Sequence, residues 1–131
     1  MTTTDVRPET HTHEPSPVSD VALWTSMLLG PFVFLLNLEV NYVLVDWACN
    51  TGNTWALHVA HFTALVTIAI GTWLGVVLWR RSGSGWPDAG AGAVPRARLM
   101  AALGTLGGLL FAVSLVAHWI PVWVLGPCLR F

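Results

Sequence analysis

Three long apolar runs, 21–46, 55–79 and 99–125, dominate the pattern of this chain, and charge is nearly absent within them. Each is as long as the roughly 20 residues a helix needs to cross ~30 Å of hydrocarbon at about 1.5 Å per residue, or longer. A core helix of a soluble protein carries one apolar stripe, whereas these runs are apolar nearly all round. The pattern therefore predicts an all-α fold: an integral membrane three-helix bundle over residues 21–128. The stretch 80–98 joins the second and third helices, and 47–54 joins the first and second. Residues 1–20, MTTTDVRPETHTHEPSPVSD, have no periodic apolar face and predict a disordered tail.

Composition agrees with the pattern. The chain is 54% hydrophobic and only 10% charged, where soluble domains carry about 25% charged residues. No basic patch suits nucleic acid, and no glycine-rich loop on a strand-to-helix turn suits nucleotide. The tail pair His11 and His13 offers too few ligands for a metal site. The residues announce no catalytic activity, and the chain reads as a non-enzyme whose first partner is the lipid bilayer.

The arginines orient it. Arg80, Arg81, Arg96 and Arg98 all fall in 80–98, and 47–54 holds none. The positive-inside rule puts the arginine-bearing loop in the cytoplasm. With three spans, the amino terminus is then cytoplasmic and the carboxyl terminus periplasmic, in a bacterial inner membrane. Tryptophans support the span boundaries, since Trp24, Trp47, Trp55, Trp79, Trp119 and Trp123 lie near helix ends, where indoles prefer the headgroup region. On this topology Cys49 and Cys128 share the outer face, where a periplasm permits a disulfide. Closing so long a loop would stabilise by roughly 4 kcal/mol in the chain-entropy model. A thiolate pair for copper and two unrelated free cysteines are the alternatives.

Polar residues interrupt the spans at one level. Counting inward from Trp47 puts Asn41 about 9 Å and Glu39 about 12 Å below the outer boundary. His58, His61 and His118 fall between about 4.5 and 10 Å on the other two helices, and Asn37 lies one turn beyond Asn41. Such groups usually face other helices, a cavity or a partner. At about 100° per residue, Asn37 and Asn41 share a face with Gly30, Phe34 and Ala48. Glu39 turns about 200° away from Asn37, with Tyr42 and Asp46. A lone three-helix bundle has difficulty hiding both stripes, which points to a membrane-protein partner or a homo-oligomer. The pairs Gly71/Gly75 and Gly104/Gly108 are small-xxx-small spacings that suit close helix packing.

Three functions compete for this polar layer. Interhelical hydrogen bonding would make the chain a packing and interaction protein with no cofactor. His58, His61 and His118 are weak candidates for a metal site, holding copper or a haem. Glu39 and the histidines could instead line a proton or small-solute conduit in an oligomer.

The stretches GPFVFLLNLEVNYVLVDWAC, Leu57-His58 and IPVWVLGPC resemble small bacterial three-helix transmembrane proteins of unknown function, often encoded beside haem-copper cytochrome oxidase genes. The matching positions are Gly30-Pro31, Tyr42, Cys49, Leu57-His58 and Pro127-Cys128. Relatives often carry histidine where this chain has Asn37. The resemblance implies an accessory subunit or assembly factor of a respiratory oxidase complex.

Overall fold

In a computed structural model, the structure describes residues 18–86, 92–126 and 128. Of the expected disordered tail 1–20, residues 1–17, with His11 and His13, lie outside the described residues. Val18 is buried in an apolar cluster with Leu78 and Ala97, and Ser19 and Asp20 open the first helix. Three helices account for nearly all of the rest: α1 (Asp20–Thr51), α2 (Trp55–Arg81) and α3 (Ala93–Val124). Each packs against both of the others. All three are long and apolar enough to cross a membrane, making this a multi-pass membrane protein.

The helices outrun the apolar stretches that predict them. Ser19 caps α1, its hydroxyl accepting from the Ala22 N–H at 3.3 Å. The segment Asp46 to Thr51 stays helical, and the helix stops only at Gly52, whose φ of +70° ends the last turn in the left-handed region. The expected connection 47–54 thus shrinks to Gly52-Asn53-Thr54, in which Asn53 Oδ1 accepts from the Trp55 N–H at 3.0 Å. Likewise α3 begins at Ala93, well inside the expected loop 80–98. Pro95 lies in its first turn, where a missing N–H costs nothing. Hydropathy locates the membrane, while backbone hydrogen bonding sets helix length, so the two boundaries differ. At 32, 27 and 32 residues, the helices reach about 48, 40 and 48 Å. Their ends therefore project beyond a ~30 Å hydrocarbon layer unless the bundle tilts.

The outward surface is apolar. Phe32, Leu35, Ile70, Trp73, Leu106 and Leu110 are all at least half exposed near the middle of their helices. Lipid solvates such a surface, while water would not tolerate so large an apolar patch. The interior is made of small residues instead. Built on Gly104, a Cβ would come within 2.9 Å of the backbone oxygen of Ser26 on α1. A Cβ on Gly75 would meet the Thr105 hydroxyl at 2.8 Å, and one on Gly108 would overlap Thr72. Gly30 stands 3.5 Å from the Gly108 Cα by the same measure. Gly71 sits beneath Leu29. Lipid tails are as apolar as leucine, so the helices gain by close van der Waals contact rather than by escaping water.

Two apolar clusters flank this seam. Leu23, Leu78, Ala97 and Ala101 pack at the arginine end with Trp79 and Met100. Ala64, Ile68 and Leu115 form the second, against Phe34 and Phe111, whose ring centroids are 5.5 Å apart. At the arginine end, Arg98 Nε donates to the Ser82 carbonyl at 2.7 Å, and its guanidinium covers Gly83 and Gly85. Gly83 has a φ of +97° there, a conformation that favours glycine. Arg96 and Asp20 approach to 3.6 Å, but both are two-thirds exposed and contribute little. At the other end, a disulfide joins Cys49 to Cys128 with Cα atoms 5.4 Å apart.

Two measurements check this packing. Gly104→Ala should lower unfolding stability in detergent by about 1–3 kcal/mol, because its neighbour is backbone and must move. Gly107→Ala, with open space around it, should change stability by less than about 0.5 kcal/mol. In protein from its native membrane, a maleimide reagent should add to neither cysteine before reduction and to both afterwards.

Candidate functional site

The polar residues of the spans form three separate arrangements. The first is a histidine–tryptophan group between α2 and α3, towards the disulfide end. His61 is fully buried, and its Nδ1 lies 2.8 Å from the Leu57 carbonyl one turn back on α2. A carbonyl only accepts, so Nδ1 carries the hydrogen and the neutral ring keeps its lone pair on Nε2. That Nε2 faces His118 Nδ1 at 3.4 Å. The hydrogen of this long bond belongs to His118 Nδ1, which leaves His118 Nε2 as an acceptor. The indole of Trp119 lies nearly parallel to His61, with 8° between planes and centroids 5.7 Å apart. Its Nε1–H donates to His58 Nδ1 at 3.0 Å, which puts the His58 hydrogen on Nε2. Trp123 completes the group against His58, at 4.6 Å between centroids.

α2 and α3 supply this geometry by spacing. His58 and His61 are one turn apart on α2, and His118 and Trp119 are adjacent on α3. Each α2 histidine therefore hydrogen-bonds a different α3 ring, with Trp119 touching both, and these contacts lock helix rotation as well as height. The sequence reading gave Trp119 to the membrane interface and missed its hydrogen bond. The available signal was its place beside His118, at the depth of His58. The three histidines do not converge on one point, because His58 Nδ1 is taken by an indole. His61 and His118 together offer two imidazoles, half of the four ligands that zinc takes. Among the described residues, no group of three or more His, Cys, Asp or Glu side chains is placed to hold a metal ion.

Asn37 and Asn41 make the second arrangement, both buried on the inner face of α1 with Gly30 and Ala48. Asn41 Nδ2 donates to the Asn37 carbonyl at 2.7 Å. That bond fixes which end of the amide is nitrogen and leaves Asn41 Oδ1 buried with no partner. Asn37 Nδ2 is likewise unpartnered. It lies beside a shallow groove between α1 and α2, lined by Val33, Leu36, Val40, Ala60 and Thr63. An unsatisfied buried polar group costs about 1–3 kcal/mol, so two on one helix are a standing cost to the isolated bundle.

The third arrangement faces outward. Glu39, Tyr42 and Asp46 lie on the exposed side of α1, as the helical phase requires. Glu39 makes no hydrogen bond or ion pair with any described residue, and neither α2 nor α3 covers it. It shares an open groove of about 1080 Å³ with Asn41, Tyr42, Asp46 and Cys49 of α1 and with His118 of α3. The six residues expected as one polar cluster are thus divided. His61 and His118 touch directly, and His58 joins them through Trp119. Asn41 bonds to the Asn37 backbone, and Glu39 bonds to none of them but shares its groove with Asn41 and His118. Gly71, Gly75, Gly104 and Gly108 lie in the helix seam, away from this chemistry.

Replacing Trp119 by phenylalanine keeps the stacked ring but removes the donor to His58. This Trp119→Phe change should cost about 1 kcal/mol of unfolding stability in detergent, the net worth of one hydrogen bond. Trp73→Phe, on the lipid side, should cost less than about 0.5 kcal/mol by the same measurement.

No family model, curated protein or solved structure matches the chain, so its site stands on its own geometry.

Proposed function

We propose that this protein is a non-catalytic subunit or assembly factor of a larger complex in a bacterial inner membrane. Its amino terminus lies in the cytoplasm and its carboxyl terminus in the periplasm. One observation carries the reading: Glu39, Tyr42 and Asp46 form a polar stripe on a membrane-spanning helix that the chain's own helices leave uncovered. Ionisable side chains are costly against lipid and are found facing protein or water-filled cavities. The uncovered stripe therefore calls for protein on that side of α1. The resemblance described above makes a haem-copper oxidase the first complex to examine. A disulfide between Cys49 and Cys128 suits the periplasmic side of such an assembly.

Extraction from native membranes in a mild detergent tests the reading. The chain of 14.2 kDa should migrate in an assembly several times its own mass, together with a defined set of membrane proteins. Recovery as a lone monomer would remove the subunit reading.

A further inference from the structure

The groove between α1 and α3 has a one-sided hydrogen-bond character. Glu39 and Asp46 contribute carboxylate oxygens to its wall. Asn41 also borders the groove, but it is only 5% exposed and its unpartnered Oδ1 lies buried beneath the wall. His118 donates through Nδ1 to His61, which leaves its Nε2 as an acceptor. Tyr42, 83% exposed on the same wall, can act either way. No arginine or lysine lines the groove among the described residues. Its occupant must therefore bring donors, and positive charge with them.

We propose that this groove docks a transmembrane helix of another membrane protein, one carrying an arginine or lysine at the depth of Glu39. The inference rests on the subunit reading above and adds the chemistry of the partner. A guanidinium has five donors and no acceptor, and an ammonium has three donors and none, so either complements a wall of acceptors. A cation also cancels the charge of Glu39, which no described residue of this chain does. Both side chains are long enough to enter the groove while their helix packs outside it.

A second copy of the chain does not fit so well. The described arginines, Arg80, Arg81, Arg96 and Arg98, all sit at helix ends or in the connection between them. Glu39 lies twelve residues before Thr51, about 18 Å from that end of α1. Neither parallel nor antiparallel pairing in one bilayer brings a helix-end arginine to that level.

The test uses the full chain in phosphatidylcholine vesicles, with a photo-crosslinking amino acid replacing Tyr42. Three leucine–alanine transmembrane peptides serve as probes, with a single central arginine, glutamine or glutamate. The arginine peptide should crosslink about tenfold more than the glutamine peptide, the ratio expected of a polar contact worth ~1–2 kcal/mol in lipid. The glutamate peptide should crosslink least. Glu39→Gln, an exposed change that leaves the bundle intact, should abolish the preference, and Asp20→Asn at the far end should preserve it. Equal crosslinking of all three peptides, or a preference that survives Glu39→Gln, overturns the proposal. A preference that appears only in Arg130→Ala also overturns it, because the chain's own arginine would then be the occupant. Peptide selectivity is read without the native partner, so its failure is distinct from that of the subunit reading, which is decided by the mass of the extracted assembly.

Discussion

Close approach of three helices through small residues is the constraint on which this protein depends. Lipid gives no hydrophobic drive for helices to associate, so the gain must come from contact at short range. Gly104 against the Ser26 backbone, Gly30 against Gly108, and Gly75 against Thr105 supply that contact. Once these crossings are set, the rotation of each helix is set as well. Asn37 and Asn41 are then turned inward, His61 is enclosed, and Glu39 is left outside.

That rotation distributes the polar groups by their ability to find partners. α2 and α3 satisfy each other: His61 meets His118, and Trp119 meets His58. α1 has no such match. Its asparagines bond within the helix and leave one donor and one acceptor over, and Glu39 makes no hydrogen bond or ion pair with any described residue. The bundle is therefore complete between α2 and α3 and incomplete along α1. This asymmetry, more than any single residue, is what the proposal of a larger assembly rests on.

The disulfide and the arginine end hold this arrangement from above and below. Cys49–Cys128 ties the last turn of α1 to the segment after α3, beside the groove that Glu39 and His118 share. At the opposite end, Arg98 closes the α2–α3 connection on the Ser82 carbonyl, so an arginine read for topology also has a structural task. Of the two helices that bound the groove, α3 is thus tied at both ends and α1 at the disulfide end.

By itself the sequence determined the three membrane helices, because ~20 consecutive apolar residues have no other stable home. It also determined which residues of α1 share a face, since 100° per residue separates Asn37 and Asn41 from Glu39, Tyr42 and Asp46 without reference to any neighbour. Helix ends escaped it, because hydropathy changes at the lipid boundary while the backbone of Asp46–Thr51 and Ala93–Arg98 goes on bonding as helix. Only the tertiary structure decided that His61 pairs with His118 while His58 goes to Trp119. Those rings lie 57 and 61 positions apart, and their meeting depends on helix crossings made elsewhere, at glycines. It alone decided, too, that Glu39 opens onto a groove shared with His118 without a hydrogen bond between them. A residue's depth can be counted along a chain, but its partner depends on how whole helices turn against one another.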